Sequence, residues 1–124
     1  MPLRPLSYLD FDRSDDEDGH ASYDAMAAVD ERRLGALQAE VARVLAWAHE
    51  HFGPPAPFEE GGEWDCALAG VRELATPLTV AYRERSSTVE LQDAGAGSTR
   101  VTLTLTLTGT PAFCVAFDAA FAGA

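Results

Sequence analysis

The 124-residue chain has the size of one domain, long enough to bury roughly two-thirds of its unfolded surface. Its 47% hydrophobic content argues against a disordered chain, and a net charge of −11 argues against direct binding to a phosphate backbone; its nine basic residues are all arginine, scattered from Arg4 to Arg100. The N-terminus lacks the apolar core of a secretory signal and no stretch approaches a membrane span, so the expected location is the cytoplasm.

In chain order, LSYLDFD alternates as a half-buried strand with Leu9 and Phe11 on one face. An acidic stretch follows, DFDRSDDEDGH at positions 10 to 20, and Asp18-Gly19 gives a hairpin turn signal. Residues 21–29 then return as a second strand or open the next helix early. A long helix is predicted from about Asp30, its N-cap, to Phe52, stopped by Gly53, Pro54 and Pro55. Leu34, Leu37, Val41, Val44, Leu45, Ala48 and Phe52 form its apolar face, and Gly35, Ala39, Ala42 and Ala46 form a second stripe of small residues.

A Pro/Gly-rich connection at 53–63 leads back to strands: EWDCALAGVREL, then PLTVAYRER with Leu78, Val80 and Tyr82 on one side, then STVELQD and a turn at 93–98. TRVTLTLTLTGT is the clearest strand, with Val101, Leu103, Leu105 and Leu107 facing one way and Thr102, Thr104, Thr106 and Thr108 the other, the pattern of an antiparallel sheet covered on one side. Thr110 caps a last helix with Pro111 at its first position, and Phe113, Phe117 and Phe121 recur every fourth residue as its anchor. These elements predict one α+β domain over residues 1–124, a two-layer sandwich of a mostly antiparallel four- to five-stranded sheet with two helices on one face. The acidic hairpin loop is expected at 13–20.

The acidic stretch fails the EF-hand register. A loop starting at Asp10 puts Asp15 where glycine belongs and Ala21 where the closing glutamate belongs; one starting at Ser14 puts Ala25 at the closing position. A different divalent-cation site could use Asp10, Asp12, Asp16, Asp18 and His20, set against a solvated, self-repelling loop. His49 and His51 lie two apart and share no helix face, so they do not pair as metal ligands. Cys66 and Cys114 sit in apolar surroundings without zinc spacing and read as buried free thiols. No nucleophile elbow, zinc-protease motif, phosphate loop or dinucleotide fingerprint occurs, so the sequence supplies no catalytic residues and names no cofactor.

The leading expectation is a small acidic protein-interaction module, of the inhibitor or immunity type, that binds a basic protein through Asp15 and Glu17 of the acidic loop or through the open sheet face at Thr102, Thr104 and Thr106. The alternative is a cation-binding domain or metal-dependent enzyme built on the acidic hairpin. A homodimer through the alanine stripe or a sheet edge is a third expectation.

Overall fold

The computed structural model describes residues 5–122. The chain runs β1 (Asp12–Asp15), β2 (Ala21–Asp30), α1 (Glu31–Phe52), a 3-10 turn (Phe58–Glu60), β3 (Trp64–Ala75), β4 (Leu78–Arg83), β5 (Thr88–Asp93), β6 (Ser98–Gly109) and α2 (Pro111–Phe117), which continues as a π-helical turn over Asp118–Ala122. β1, β2, β6 and β3 lie in that order in one antiparallel sheet. α1 and α2 pack on one of its faces, giving the expected α+β sandwich.

Alternation builds the sheet. In β2, Ala21, Tyr23, Ala25, Ala27 and Val29 are buried while Asp24, Met26 and Ala28 are exposed, and β6 contributes Val101, Leu105 and Leu107 to the same side. The small side chains of β2 let α1 approach closely with Leu37, Val41, Val44, Trp47 and Ala48. Asp30 ends β2 and caps α1 by accepting a hydrogen bond from the Arg33 N–H at 3.0 Å; Gly53, at φ +75°, turns the chain out of the helix. Gly35, Ala39, Ala42 and Ala46 face solvent.

Phe113, Phe117 and Phe121 do anchor the C-terminal segment, and they do so around Trp47, whose ring meets theirs edge-on at 5.4–5.9 Å. Trp64, at the start of β3, stacks on Phe113 with the ring centroids 5.9 Å apart. Neither tryptophan stood out in the sequence reading.

Two expectations are corrected. LSYLDFD is not a strand: the first strand begins at Asp12. The backbone N–H groups of Ser7, Tyr8 and Leu9 instead donate to the Glu40 carboxylate of α1 at 2.7, 2.8 and 2.7 Å, so a side chain takes the place of a neighbouring strand. Leu9 is still buried and Phe11 packs against the core.

The second correction concerns β4 and β5. The sequence places its strands in one sheet of four to five, but β4 and β5 pair with each other and with no strand of the main sheet among the described residues. The threonine face is bordered instead by Ser22, Asp24, Met26 and Ala28 of β2 and by Asp65, Ala67, Ala69 and Val71 of β3. The β3–β6 ladder ends at Ala75 and Ser98, after which Thr76-Pro77 lies opposite the four residues Ala94 to Gly97. Proline has no N–H to continue the ladder, and the unequal lengths break the pleat like a wide bulge. Beyond the break, β4 and β5 form a two-stranded arm.

Candidate functional site

The antiparallel topology decides which loops meet. Ala21 of β2 and Trp64 of β3 both pair with Gly109 of β6. The loop before Ala21, the connection before Trp64 and the start of α2 therefore emerge at one end of the sheet. The His20 ring lies 4.4 Å from the Phe58 ring, which seats the Phe58–Glu60 turn beside the acidic loop. The Thr110 hydroxyl donates to Glu63 at 2.8 Å, drawing that carboxylate to the same end.

Two acidic segments some forty residues apart in sequence thus converge, bringing exposed Asp15, Asp16, Glu17 and Asp18 together with exposed Glu59, Glu60 and Glu63. The sequence displays the first segment as a contiguous acidic run and the second only as part of a Pro/Gly-rich connection. Its proximity follows from strand pairing, which the sequence did not display.

Charge is distributed unequally along the molecule. At the opposite end, around the break and the arm, Arg32, Arg33, Arg72, Arg83, Arg85 and Arg100 are matched by Asp30, Glu31, Glu73, Glu84, Glu90 and Asp93. Arg33 pairs with Asp30 at 3.2 Å, Arg72 with Glu31 at 2.7 Å and Arg83 with Glu90 at 3.0 Å. Arg72 also holds the Glu31 carboxyl below the usual carboxylate range. Six arginines balance six carboxylates there, so the net charge of −11 belongs to the rest of the chain.

Within the acidic end, Asp16, Asp18 and His20 bring one potential ligand atom each within 4.8 Å of the others. Asp10 and Asp12, the other members of the sequence-predicted cation set, do not belong to this group; Asp12 pairs with Asp24 across the β1–β2 ladder. The Asp16 carboxylate already has a structural task, accepting the backbone N–H groups of Asp18 at 2.8 Å and His20 at 2.9 Å, as an aspartate does in a tight turn. Gly19 completes that turn at φ +83°.

Arg13, the arginine among these acids, is also committed. It donates to Asp15 at 2.7 Å and to Asp118 of the C-terminal turn, with its guanidinium 5.6 Å from the Tyr23 ring centroid. The Asp15 hydrogen bond and the surrounding charges keep it protonated. The Tyr23 hydroxyl donates to the other Asp118 oxygen at 2.8 Å; burial first, and then this bond, raise the phenol above its ordinary value. Glu17 is exposed.

The other candidates take ordinary structural places. Thr102, Thr104 and Thr106 are half-buried on the face without helices, and the Thr106 hydroxyl donates to Asp24 at 2.7 Å. His49 packs edge-on against Trp64, and His51 stacks on Trp47. Both cysteines are free. Burial, and then the Asp65 carboxylate, push the Cys66 thiol up and away from the reactive thiolate. Among the described residues no helix is long and apolar enough to cross a membrane. Comparison with protein-family models, with curated proteins and with solved structures found no match.

Proposed function

We propose that this chain is a non-enzymatic interaction module whose acidic end binds a basic protein, in the manner of a small inhibitor or immunity protein. The observation that carries the reading is the convergence of residues 15–18 and 59–63 at one end of the sheet, while the other end is electrically balanced. A net charge concentrated away from the balanced end produces a directed field, which speeds encounter with a basic surface and orients the approach. The carboxylates are exposed, so they can meet arginine or lysine without a prior cost of burial.

The test is affinity capture from the source cells with the wild-type chain and with a variant carrying Asp16→Lys, Glu17→Lys, Glu59→Lys and Glu60→Lys. A basic protein retained by the wild type, released by about 0.5 M salt and absent from the variant supports the reading. Retention of the same proteins by both chains overturns it.

Asp16, Asp18 and His20 favour a second reading, a divalent-cation site at the same end. Amide NMR titration with Ca²⁺, Mg²⁺ and Zn²⁺ separates the two. Saturable shifts confined to residues 16–20 and abolished by Asp16→Asn support the cation site; weak, non-saturating shifts leave a solvated acidic loop.

A further inference from the structure

We propose that the apolar face of the β4–β5 arm is buried against the same face of a second copy of this chain. Alternation places Leu78, Val80 and Tyr82 of β4 on one side, and the register sets Val80 opposite Leu91 and Tyr82 opposite Val89 on that same side. All five side chains are half to two-thirds exposed. Leu74, which precedes the break with the same parity, is exposed as well. The helix layer reaches this end of the sheet at the Glu31–Arg72 pair, and the apolar alternation of the strands runs on past it into the arm.

An isolated two-stranded hairpin is marginally stable in water, and one with a continuous apolar face needs a cover. Three observations identify that cover as a second copy. The exposed face amounts to roughly 500 Å² per chain, a large part of the roughly 800 Å² per partner found in stable interfaces, and Leu74 with the open edge of β3 adjoins it. Asp93, opposite Leu78 at the base of the arm, is the one charged strand residue on this face; Arg83 and Glu90 lie on the opposite side, so beyond Asp93 the face is a row of apolar side chains that a two-fold contact can match with its own copy.

Charge supplies the third. The arm end is electrically balanced, whereas the acidic end lies at the far end of β6, roughly 35 Å away at about 3.3 Å per residue. Two chains of charge −11 can therefore meet arm to arm with their acidic ends far outside screening distance, while a strongly basic partner would be drawn to the other pole. The surface is separate from the acidic end, and the proposal stands without the reading given for that end.

Sedimentation equilibrium at about 100 µM tests it. The wild type is expected at twice the chain mass of 13.3 kDa, and a Val80→Asp, Leu91→Asp double variant at the single-chain mass. Near-ultraviolet circular dichroism from buried Trp47 and Trp64 should be the same in both, showing that the variant is folded. Ala39→Asp, on the exposed stripe of α1, is expected to leave the dimer intact. A wild-type chain that sediments at 13.3 kDa, a double variant that remains dimeric, or a dimer broken by Ala39→Asp would each overturn the proposal.

Discussion

At the scale of single residues, Glu40 holds the N-terminal segment in place. Only 7% of its surface is exposed, and its two oxygens accept three backbone N–H groups, a pattern that satisfies a buried carboxylate without a cationic partner among the described residues. Glu40→Ala strands those donors at the edge of the core and should cost roughly 2–4 kcal/mol, lowering the melting temperature by roughly 10 °C. Differential scanning calorimetry reads this directly, and a shift under about 2 °C would mean that water replaces the carboxylate at little cost. The signal for this residue was present in the sequence: Glu40 stands three residues after Leu37 and four before Val44, on the apolar stripe itself. Hydrophobic patterning passes over such a carboxylate because it registers only apolar positions.

Tyr23 gives a prediction in pH. Its phenol is raised in the folded state by burial and by its bond to Asp118, so the folded chain keeps a proton that the unfolded chain gives up near pH 10. The stability it contributes is complete below that value and is lost as pH rises above it. Urea unfolding at pH 8, 10 and 11 should show a steep fall over the last interval. Tyr23→Phe should flatten that fall while costing about 1 kcal/mol at pH 8. An equal fall in both chains would assign it to other groups.

Elements differ in how far their sequence declares their surroundings. α2 declares them well: three phenylalanines at intervals of four on a capped helix find Trp47, and Phe113 and Phe117 are fully buried. Phe117→Asp removes roughly 3–5 kcal/mol of packing and adds the cost of a buried charge, a large share of the 5–15 kcal/mol that holds a domain of this size. The expected outcome is loss of a cooperative melting transition. A transition within a few degrees of wild type would show that α2 does not pack as described.

β4 and β6 show the limit of pattern reading. Both alternate apolar and polar residues, yet β6 lies under the helices and β4 lies in an uncovered arm. Alternation states that one face needs a cover and not what supplies it. The Thr76-Pro77 step, opposite the glycine-containing segment 94–97, was the sequence feature that could have marked the break. The acidic end was half legible for a related reason. Its first segment is contiguous in the sequence, whereas Glu59, Glu60 and Glu63 join it only once β2, β3 and β6 are registered on Gly109.

For the whole molecule, the two ends of β6 are physically independent. None of the large apolar side chains of the arm joins the buried cluster around Trp47, Leu105 and Phe117. Replacing residues 78–93 by an Asn-Gly turn should therefore leave the near-ultraviolet signals of Trp47 and Trp64 unchanged, since a tight turn closes the shortened hairpin without touching the core. Stability should then separate into two contributions. If the arm is covered by a second copy, the melting temperature of the full chain rises with protein concentration by mass action, and that of the shortened chain does not. Calorimetry at about 5 µM and about 200 µM distinguishes the cases. Concentration dependence confined to the full chain locates association in the arm; dependence in both places it on another surface. A shortened chain that fails to fold would show that the arm is part of the folding unit, against its exposure on every strand residue but Ala81.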